Sequence, residues 1–338
     1  MAMTIYDISK KAGVSIATVS RVLNGSENVR PSTRKKVMDV IDKYDYTPNA
    51  FARGMGLHSL KTIGILCADS SDLFLAKAVY FLEQELQANG YESLLCCTGY
   101  NPDIKKNYLN LILSKKVDSI ILVGSHFIGF NEDENQYIKD VSTQVPIMLL
   151  NASFDHPNVY STLCDDYGTM FEAATEMIQS GITDILYLYD SKSYSGLKKL
   201  HGFCDAMKQY NIPGFEKLIH FYDGNIEHLN EVADFVARIA TKGTSFHGIM
   251  TSDDSLAIGS IKYAQKKGIR IPEELSVMGY NNSMLTNCCT PELTSVDNRL
   301  ETQTHQLVQT LLGVLAGEEM PKKSIFSGKI IKRGTTLF

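Results

Sequence analysis

The residues with the clearest chemical use lie on one helical face in the stretch TIYDISKKAGVSIATVSRVLNG, residues 4–25. Its second half repeats apolar side chains at helical spacing, so Val19, Val22 and Leu23 share a face that must be buried. The opposite face carries the exposed side chains, which are Ile16, Ala17, Ser20 and Arg21. An arginine exposed among small side chains can donate two parallel hydrogen bonds, which is the chemistry that reads a guanine edge.

Two short helices and a tight turn must position that face. Ile5 and Ile8 begin an apolar stripe, and Gly13 permits the turn that ends the first helix. Ser15 fits the N-cap of the second helix, where its hydroxyl accepts from a backbone N–H near Thr18. The arrangement predicts a helix-turn-helix whose second helix enters the DNA major groove. The alternative is an ordinary surface helix pair.

A third helix closes this small domain. Pro31 and Ser32 are helix-start residues, and the apolar spacing that follows predicts a helix over residues 33–44. Three basic side chains lie near its start, namely Arg34, Lys35 and Lys36. They serve either as solvated surface charge or as phosphate contacts.

Charge is distributed unevenly along the chain. The 338 residues carry a formal net charge of −5, but residues 1–62 hold ten Lys/Arg and five Asp/Glu, which leaves −10 on the remainder. A basic segment attached to an acidic body suits a nucleic-acid-binding module.

Cysteine usage and hydropathy narrow the class of protein further. The seven cysteines show no CxxC spacing, so we expect buried small hydrophobic side chains and neither a metal nor a cofactor. No apolar run approaches the ~18 residues of a membrane helix, and no signal-peptide core is present. The sequence therefore predicts a cytoplasmic protein with no membrane partner.

Residues 4–25, and VSIATVSRVLNG most specifically, closely resemble the N-terminal motif of the LacI (lactose repressor) family of bacterial transcription regulators. The resemblance implies a repressor that binds palindromic operator DNA as a homodimer. It also implies that base edges are contacted by Ile16, Ala17 and Arg21. By the same resemblance, phosphates are contacted by Thr4, Ser15, Thr18 and Asn24.

The segment YTPNAFARGMGLHSLKT, within the predicted linker 47–61, is a candidate hinge. Pro48 can begin a helix, but a short helix that contains glycines is marginal alone. The resemblance implies that this helix pairs with its dimer mate in the minor groove, with DNA contacts from Asn49 and Met55. Met55 would be the wedge between base steps, where leucine is usual in the family. The alternative is a plain interdomain linker.

From Thr62 onward, short apolar runs alternate with amphipathic stretches. The first series is IGILCA (63–68), SLLCC (93–97), SIILVG (119–124) and PIMLL (146–150). The second series is DILYLYD (184–190), KLIHFY (217–222), HGIMTS (247–252) and LSVMGY (275–280). Such runs are typical of parallel strands covered on both faces, and two series predict an α/β body of two doubly wound halves.

The body resembles the periplasmic-binding-protein-like effector domain of the same family. That resemblance implies a DNA-binding domain at 1–46 and an effector and dimerisation domain at 62–338. It implies one half formed by 62–160 with 292–322 and another formed by 161–291 with 323–338. Three crossovers between the halves would make a hinged cleft that closes on a ligand.

Alignment to the family places six residues where repressors contact small effectors, which are Phe74, Asn151, Lys199, Asp253, Asn281 and Asn298. The implied effector is a small polar molecule such as a sugar or a sugar phosphate. Three positions depart from sugar-binding members: Lys199 replaces the usual arginine, Asn281 the usual aspartate, and Ile226 an aromatic residue that Phe221 or Tyr222 would have to supply. Lysine lacks the bidentate fork of arginine, so the usual sugar clamp is absent.

One alternative is regulation by serine-phosphorylated HPr. YTPNAFARGM, TRKKV and VIDKYDY resemble the hinge and third helix of the catabolite-control regulators of the family. However, the helix RLETQTHQLVQTLL offers no Lys or Arg between positions 300 and 321, where those regulators present basic residues. We therefore rank HPr control below a small-molecule effector.

Enzymes and transport receptors are the remaining classes. The sequence contains no GxSxG, HExxH or GxxxxGK[ST] motif, so it does not predict an enzyme. A transport receptor would share the predicted body but would lack the helix-turn-helix. The sequence predicts a DNA-binding regulator.

Overall fold

The structure, a computed structural model, describes residues 3–23, 26, 28–46, 59–241 and 243–338. The chain divides into two units. The first comprises Met1–Thr62 with Lys116–Asp118, and the second comprises Ile63–Lys115 with Ser119–Phe338. The predicted hinge segment, including Asn49 and Met55, lies outside the described residues.

Among the described residues of the first unit there are three helices, as the sequence predicts: α1 (Ile5–Ala12), α2 (Ile16–Leu23) and α3 (Pro31–Lys43). Gly13 ends α1 in the left-handed conformation at φ 63°, which glycine adopts without a steric penalty. The centre of this unit is a buried apolar cluster, which contains Ile8, Val19, Val22, Val29, Val37, Ile41 and Tyr46. This core fixes which face of α2 stays exposed.

The second unit alternates strands and helices. Its strands are β1 (Thr62–Cys67), β2 (Glu92–Cys97), β3 (Ser119–Val123), β4 (Ile147–Leu150), β5 (Val159–Cys164), β6 (Ile185–Tyr189), β7 (Ile219–Phe221), β8 (Gly248–Thr251), β9 (Ser276–Tyr280), β10 (Thr294–Asp297), β11 (Lys323–Phe326) and β12 (Lys329–Ile331). Its helices are α4 (Leu73–Ala88), α5 (Pro102–Ser114), α6 (Gln136–Ser142), α7 (Asp166–Gln179), α8 (Tyr194–Gln209), α9 (Leu229–Thr241), α10 (Asp254–Lys267) and α11 (Leu300–Leu315).

Two six-stranded sheets result. The first has the strand order β11-β5-β4-β3-β1-β2, and the second has β12-β10-β9-β8-β6-β7. The β10–β12 pair is antiparallel, whereas the pairs that join β6, β8, β9 and β10 are parallel. Buried apolar clusters cover both faces of the second sheet. The predicted α/β class with two doubly wound halves is confirmed.

The predicted membership of the halves is wrong for three strands. β5 extends the first sheet to residue 164, although its polar Ser161 and Thr162 interrupt the apolar pattern that marks the other strands. β10 belongs to the second sheet, because Val296 pairs with Tyr280 and packs in that core. β11 belongs to the first sheet, where it pairs with β5. The chain therefore crosses between halves near 165, 298 and 327.

β2 departs from the expectation of a strand covered on both faces. It lies at the edge of the first sheet, and Leu94 and Leu95 are 38% and 44% exposed. An apolar run alone does not distinguish an edge strand from a central one, because both positions favour the same residue types.

Candidate functional site

The face of α2 has the composition that the sequence predicts. Ile16 is 39% exposed, Ala17 and Arg21 are also exposed, and Val19 on the opposite face is fully buried. Thr18 N donates to Ser15 Oγ at 3.2 Å, which confirms Ser15 as the cap at the start of the helix. The helix therefore presents a guanidinium and two apolar side chains outward.

The hydroxyl groups near the two helix starts have partners within the unit. Thr4 Oγ1 donates to Asp7 Oδ2 at 2.7 Å, so a phosphate contact by this hydroxyl requires that bond to open. The Ser15 and Thr18 hydroxyls lie 2.9 Å apart, and only one of their two protons is used in that contact. The second proton of this pair can point to a phosphate oxygen.

Two other side chains of the helical unit have environments that the sequence did not indicate. Tyr6 on α1 is 68% exposed, which makes it a further candidate for a DNA contact. Arg34 Nη2 donates to Ser26 O at 2.5 Å, so this arginine holds the loop before α3. Asn24, a predicted phosphate contact, lies outside the described residues.

A cavity of 640 Å³ in the second unit is lined by side chains from both halves. Three of its carboxylates lie one or two residues after a strand, since Asp69 follows β1, Asp190 follows β6 and Asp253 follows β8. The carboxyl ends of parallel strands face the crevice of a doubly wound sheet, where ligands bind. We call this cavity, with the 90 Å³ recess that continues it, the cleft.

The recess brings five of the six predicted effector residues together. They are Phe74, Asn151, Lys199, Asp253 and Asn281. Asn298 does not line the cleft. Instead its Nδ2 donates to Asn281 Oδ1 at 3.0 Å, so it contacts the site only through that neighbour.

Asp253 lines the recess at the start of α10. Its Oδ1 accepts from Ser255 N at 2.7 Å, which caps α10, and its Oδ2 accepts from Asn281 Nδ2 at 2.8 Å. Burial raises the pKa of Asp253 to about 7, and the nearby carboxylates Asp190 and Asp254 add to the rise. The group therefore titrates near neutral pH.

Lys199 is buried, and its ammonium group has a hydrogen-bond partner within the protein. Its Nζ donates to Ser252 O at 3.0 Å and lies 4.0 Å from the centre of the Tyr280 ring. Its charge also holds down the pKa of Asp166, which burial raises, and that of Asp254, which burial raises to about 6. Lys199 thus offsets part of the charge of these buried carboxylates.

Carboxylates dominate the cleft, and four of them were not predicted from the sequence: Asp69, Asp72, Asp190 and Glu227. Burial raises the pKa of Asp72, and Asp190 from the opposite half raises it further. The signal that could have found Asp69 and Asp190 was present, because both follow the ends of predicted strands. What the sequence did not reveal is that they face one cavity.

Aromatic and imidazole groups come from the first half of the unit. Tyr100 and His126 line the cleft with their rings 4.8 Å apart. Burial and then Lys105 lower the pKa of His126. Neither Phe221 nor Tyr222 lines the cleft, so the expectation that they compensate for Ile226 is wrong; Tyr100 supplies the exposed ring.

Hydroxyl groups join the two halves across the cleft. Ser125 Oγ, after β3, donates to Ser193 Oγ, before α8, at 2.8 Å. Ser191 Oγ lies 3.4 Å from His126 Nε2. A single hydrogen bond of this kind contributes little net stability, so these contacts can open and re-form as the halves move.

The described residues offer neither a metal site nor a membrane span. No group of three or more His, Cys, Asp or Glu side chains among them could hold a metal ion. No described helix is long and apolar enough to cross a membrane.

Comparison with known proteins decides the family. Residues 4–49 match the bacterial regulatory proteins of the lacI family, and residues 174–336 match the periplasmic binding protein-like domain. A transcriptional regulator of Lachnoclostridium phytofermentans is 49% identical over 99% of this chain and 100% of its own length. The chain belongs to the LacI family. Catabolite control protein A of Priestia megaterium is 32% identical over 88% of this chain and 87% of its own.

Solved structures agree with the LacI-family fold. The lac repressor dimer bound to operator and the anti-inducer ONPF matches with a TM-score of 0.88, 20% identity and full coverage of both chains. The Escherichia coli repressor AscG matches with a TM-score of 0.72 and 24% identity, over 82% of this chain and 99% of that one. Family membership makes this chain a DNA-binding transcriptional regulator, and its relatives are regulators rather than enzymes.

Proposed function

We propose that this LacI-family regulator is a cytoplasmic repressor that binds a palindromic operator as a homodimer. Residues 1–46 form the DNA-binding domain and 47–61 the hinge. The exposed α2 face supports this proposal, because Ile16, Ala17 and Arg21 can reach base edges in the major groove. Thr4, Ser15, Thr18 and Asn24 contact phosphates, and Asn49 and Met55 act in the minor groove.

The second unit exposes an apolar surface that a second copy of the chain can cover. A groove of 600 Å³ lies beside the cleft, where Tyr80 is 52% exposed and Met284 is 70% exposed. Large apolar side chains grouped in one groove mark an interaction surface more often than scattered ones do. The groove supports the proposed homodimer.

The cleft is the proposed effector site. The observation that carries this proposal is that one cavity takes polar groups from both halves, so a ligand there has different contacts in the open and closed forms. A ligand shifts a conformational equilibrium only through such a difference in affinity. The hinge then transmits the change to the DNA-binding domain.

The charges of the cleft favour a neutral, hydroxyl-rich effector such as a sugar. Asp72 and Asp190 stand on opposite halves, where Asp72 accepts from Leu75 N and Asp190 accepts from Ser252 Oγ. Carboxylates accept hydrogen bonds from hydroxyl groups, whereas they repel phosphate. Because carboxylates outnumber the single Lys199 in the lining of the cleft, a sugar is supported over a sugar phosphate.

Control by serine-phosphorylated HPr is the second candidate. The relative named catabolite control protein A supports it. Against it stands α11, which has no Lys or Arg and is preceded by the exposed Arg299 alone. We rank it below a cleft-bound effector.

Binding-site selection from random DNA tests the operator proposal. Arg21→Ala should lose preference at one base pair in each half-site, by about 1–3 kcal/mol. Lys35→Ala is the matched control, since loss of a phosphate contact weakens binding uniformly without changing the preferred sequence. An Arg21→Ala protein that selects the wild-type sequence with the same stringency would contradict the assignment.

A thermal-shift screen tests the effector proposal. Neutral sugars, sugar phosphates and serine-phosphorylated HPr are added separately to the wild type and to Asp190→Asn. We expect stabilisation by a neutral sugar, reduced in Asp190→Asn, with operator affinity without ligand within about threefold of the wild type because no cleft residue is proposed to contact DNA. Stabilisation by phosphorylated HPr alone, unchanged in Asp190→Asn, would transfer control to the second candidate.

A further inference from the structure

Two cysteines lie side by side at the ends of neighbouring strands. Cys67 is the last residue of β1 and Cys97 is the last residue of β2, and their Sγ atoms are 3.8 Å apart. Thr98 N donates to Cys67 O at 2.9 Å, so the backbones run in hydrogen-bonding contact at this point. The two thiols are therefore fixed together by the sheet rather than by a flexible loop.

This geometry permits a covalent bond. Neighbouring strands lie ~4.8 Å apart, which is within the ~4.4–6.8 Å between Cα atoms that a disulfide spans. The sulfur atoms must approach to ~2.05 Å, a movement that side-chain rotation provides. The backbone does not need to separate or rearrange.

The two thiols differ in access. Cys67 is fully buried, and burial raises its pKa to about 12, so it does not react first. Cys97 is exposed at the sheet edge. The neighbouring Cys96 is partly buried, and successive strand residues point to opposite faces. An exposed thiol with a buried thiol in contact is the arrangement in which one sulfur is oxidised and the other resolves it.

We propose that Cys67 and Cys97 form a redox pair that a hydroperoxide converts into a disulfide. The Cys97 sulfur attacks the peroxide, the O–O bond breaks, and Cys97 sulfenic acid forms with release of an alcohol, or of water from hydrogen peroxide. The Cys67 sulfur then attacks the sulfenic sulfur, the S–O bond breaks, and the hydroxide leaves as water with the Cys67 proton. Both thiols are oxidised and the peroxide is reduced.

The disulfide would lie close to residues that line the cleft. Asp69 lies two residues after Cys67 and Tyr100 three residues after Cys97, and both line the cavity. A disulfide would tie the two strand ends that carry them. The proposal concerns the thiol pair, and it stands whether or not the effector assignment is correct.

Peptide mapping of the full-length protein tests the pair. The reduced protein is treated with stoichiometric hydrogen peroxide, free thiols are alkylated after denaturation, and trypsin digestion follows. Cys67 falls in the peptide 62–77, and Cys96 and Cys97 fall in 78–105. We expect these two peptides to become linked with the loss of two hydrogen atoms, and dithiothreitol to reverse the link.

Three serine variants identify the partners. Cys96→Ser should form the link as the wild type does, and Cys97→Ser should abolish it. Cys67→Ser should accumulate Cys97 sulfenic acid, trapped by dimedone. The adjacent Cys288 and Cys289 are the internal comparison: their thiols donate to backbone carbonyls and not to each other, so no link should form between them.

Two results would overturn the proposal. One is Cys97 oxidised to sulfenic or sulfinic acid in the wild type while Cys67 remains alkylatable. The other is a link that persists in Cys97→Ser and disappears in Cys96→Ser. Because Cys97 is exposed, Cys97→Ser should fold normally, and an unchanged circular dichroism spectrum checks this.

Discussion

Replacing Asp253 by asparagine should remove a pH-dependent loss of stability. In the unfolded chain the carboxyl has its ordinary pKa of 3.8, and in the folded protein burial raises it to about 7. Between these two values the folded state holds a proton that the unfolded state releases. Stability from this group is therefore complete below pH 3.8 and is lost as the pH rises to about 7.

The size of the effect follows from the two pKa values. Each pH unit within the window changes the free energy of unfolding by about 1.4 kcal/mol. Asparagine does not titrate, so the stability of Asp253→Asn relative to the wild type should rise by roughly 2–3 kcal/mol between pH 5 and pH 8. Most of the rise should occur below pH 7.

The substitution suits the site. Asparagine is as good an N-cap as aspartate, so Ser255 N keeps its acceptor. The amide of Asn281 must turn to face a donor in place of an acceptor, which adds an offset that does not depend on pH. The carboxyl of Asp254, whose pKa burial raises to about 6, titrates in both proteins. The difference between the two pH profiles therefore reports Asp253 together with its interaction with Asp254.

Urea unfolding at pH 5, 6, 7 and 8, followed by circular dichroism, measures the difference. Asp234→Asn is the control, because Asp234 is exposed and pairs with Lys266 on the surface at 3.1 Å. Its profile should run parallel to that of the wild type. If Asp253→Asn also runs parallel to the wild type, Asp253 is ionised throughout, and the argument from its burial is wrong.

Two further substitutions test the packing of side chains within each unit. Val19→Ala removes two methyl groups from a fully buried side chain, so it should destabilise the helical unit by roughly 2 kcal/mol. Hydrogen exchange of the α1 to α3 amides in the full chain should then accelerate. Gly202→Ala should lower the melting temperature, because a Cβ at this position of α8 would collide with the backbone carbonyl of Tyr167 on α7, at a cost of about 1–3 kcal/mol. Unchanged exchange or an unchanged melting temperature would contradict the respective prediction.

The sequence specified most of the elements because their determinants are local. The three N-terminal helices follow from apolar spacing, Gly13 and the Ser15 cap. The strands of the body follow from apolar runs. β5 was missed because Tyr160, Ser161 and Thr162 break its apolar pattern, and β10 and β11 were placed in the wrong halves because strand partners are chosen by the whole sheet.

The location of the cleft could be predicted from the sequence, but the charge of its lining could not. Strand ends predicted where Asn151, Asp253 and Asn281 would lie, and the structure gathers them in one recess. The charge balance was not predictable, because it depends on which of many carboxylates face the cavity. Nor did the sequence indicate that the Lys199 ammonium group donates to Ser252 O, a contact between residues 53 positions apart.

The carboxylate of Asp253 is hard to explain by stability alone. Its N-cap bond to Ser255 N would be formed equally well by asparagine or serine, without a buried charge beside Asp190. A protein that keeps a destabilising group usually does so where function needs it. A ligand hydroxyl donating to Asp253 or Asp190 would compensate the buried charge only when both halves surround it. Ligand binding and closure would then be coupled through Asp253, the carboxyl group that lowers the stability of the fold at neutral pH.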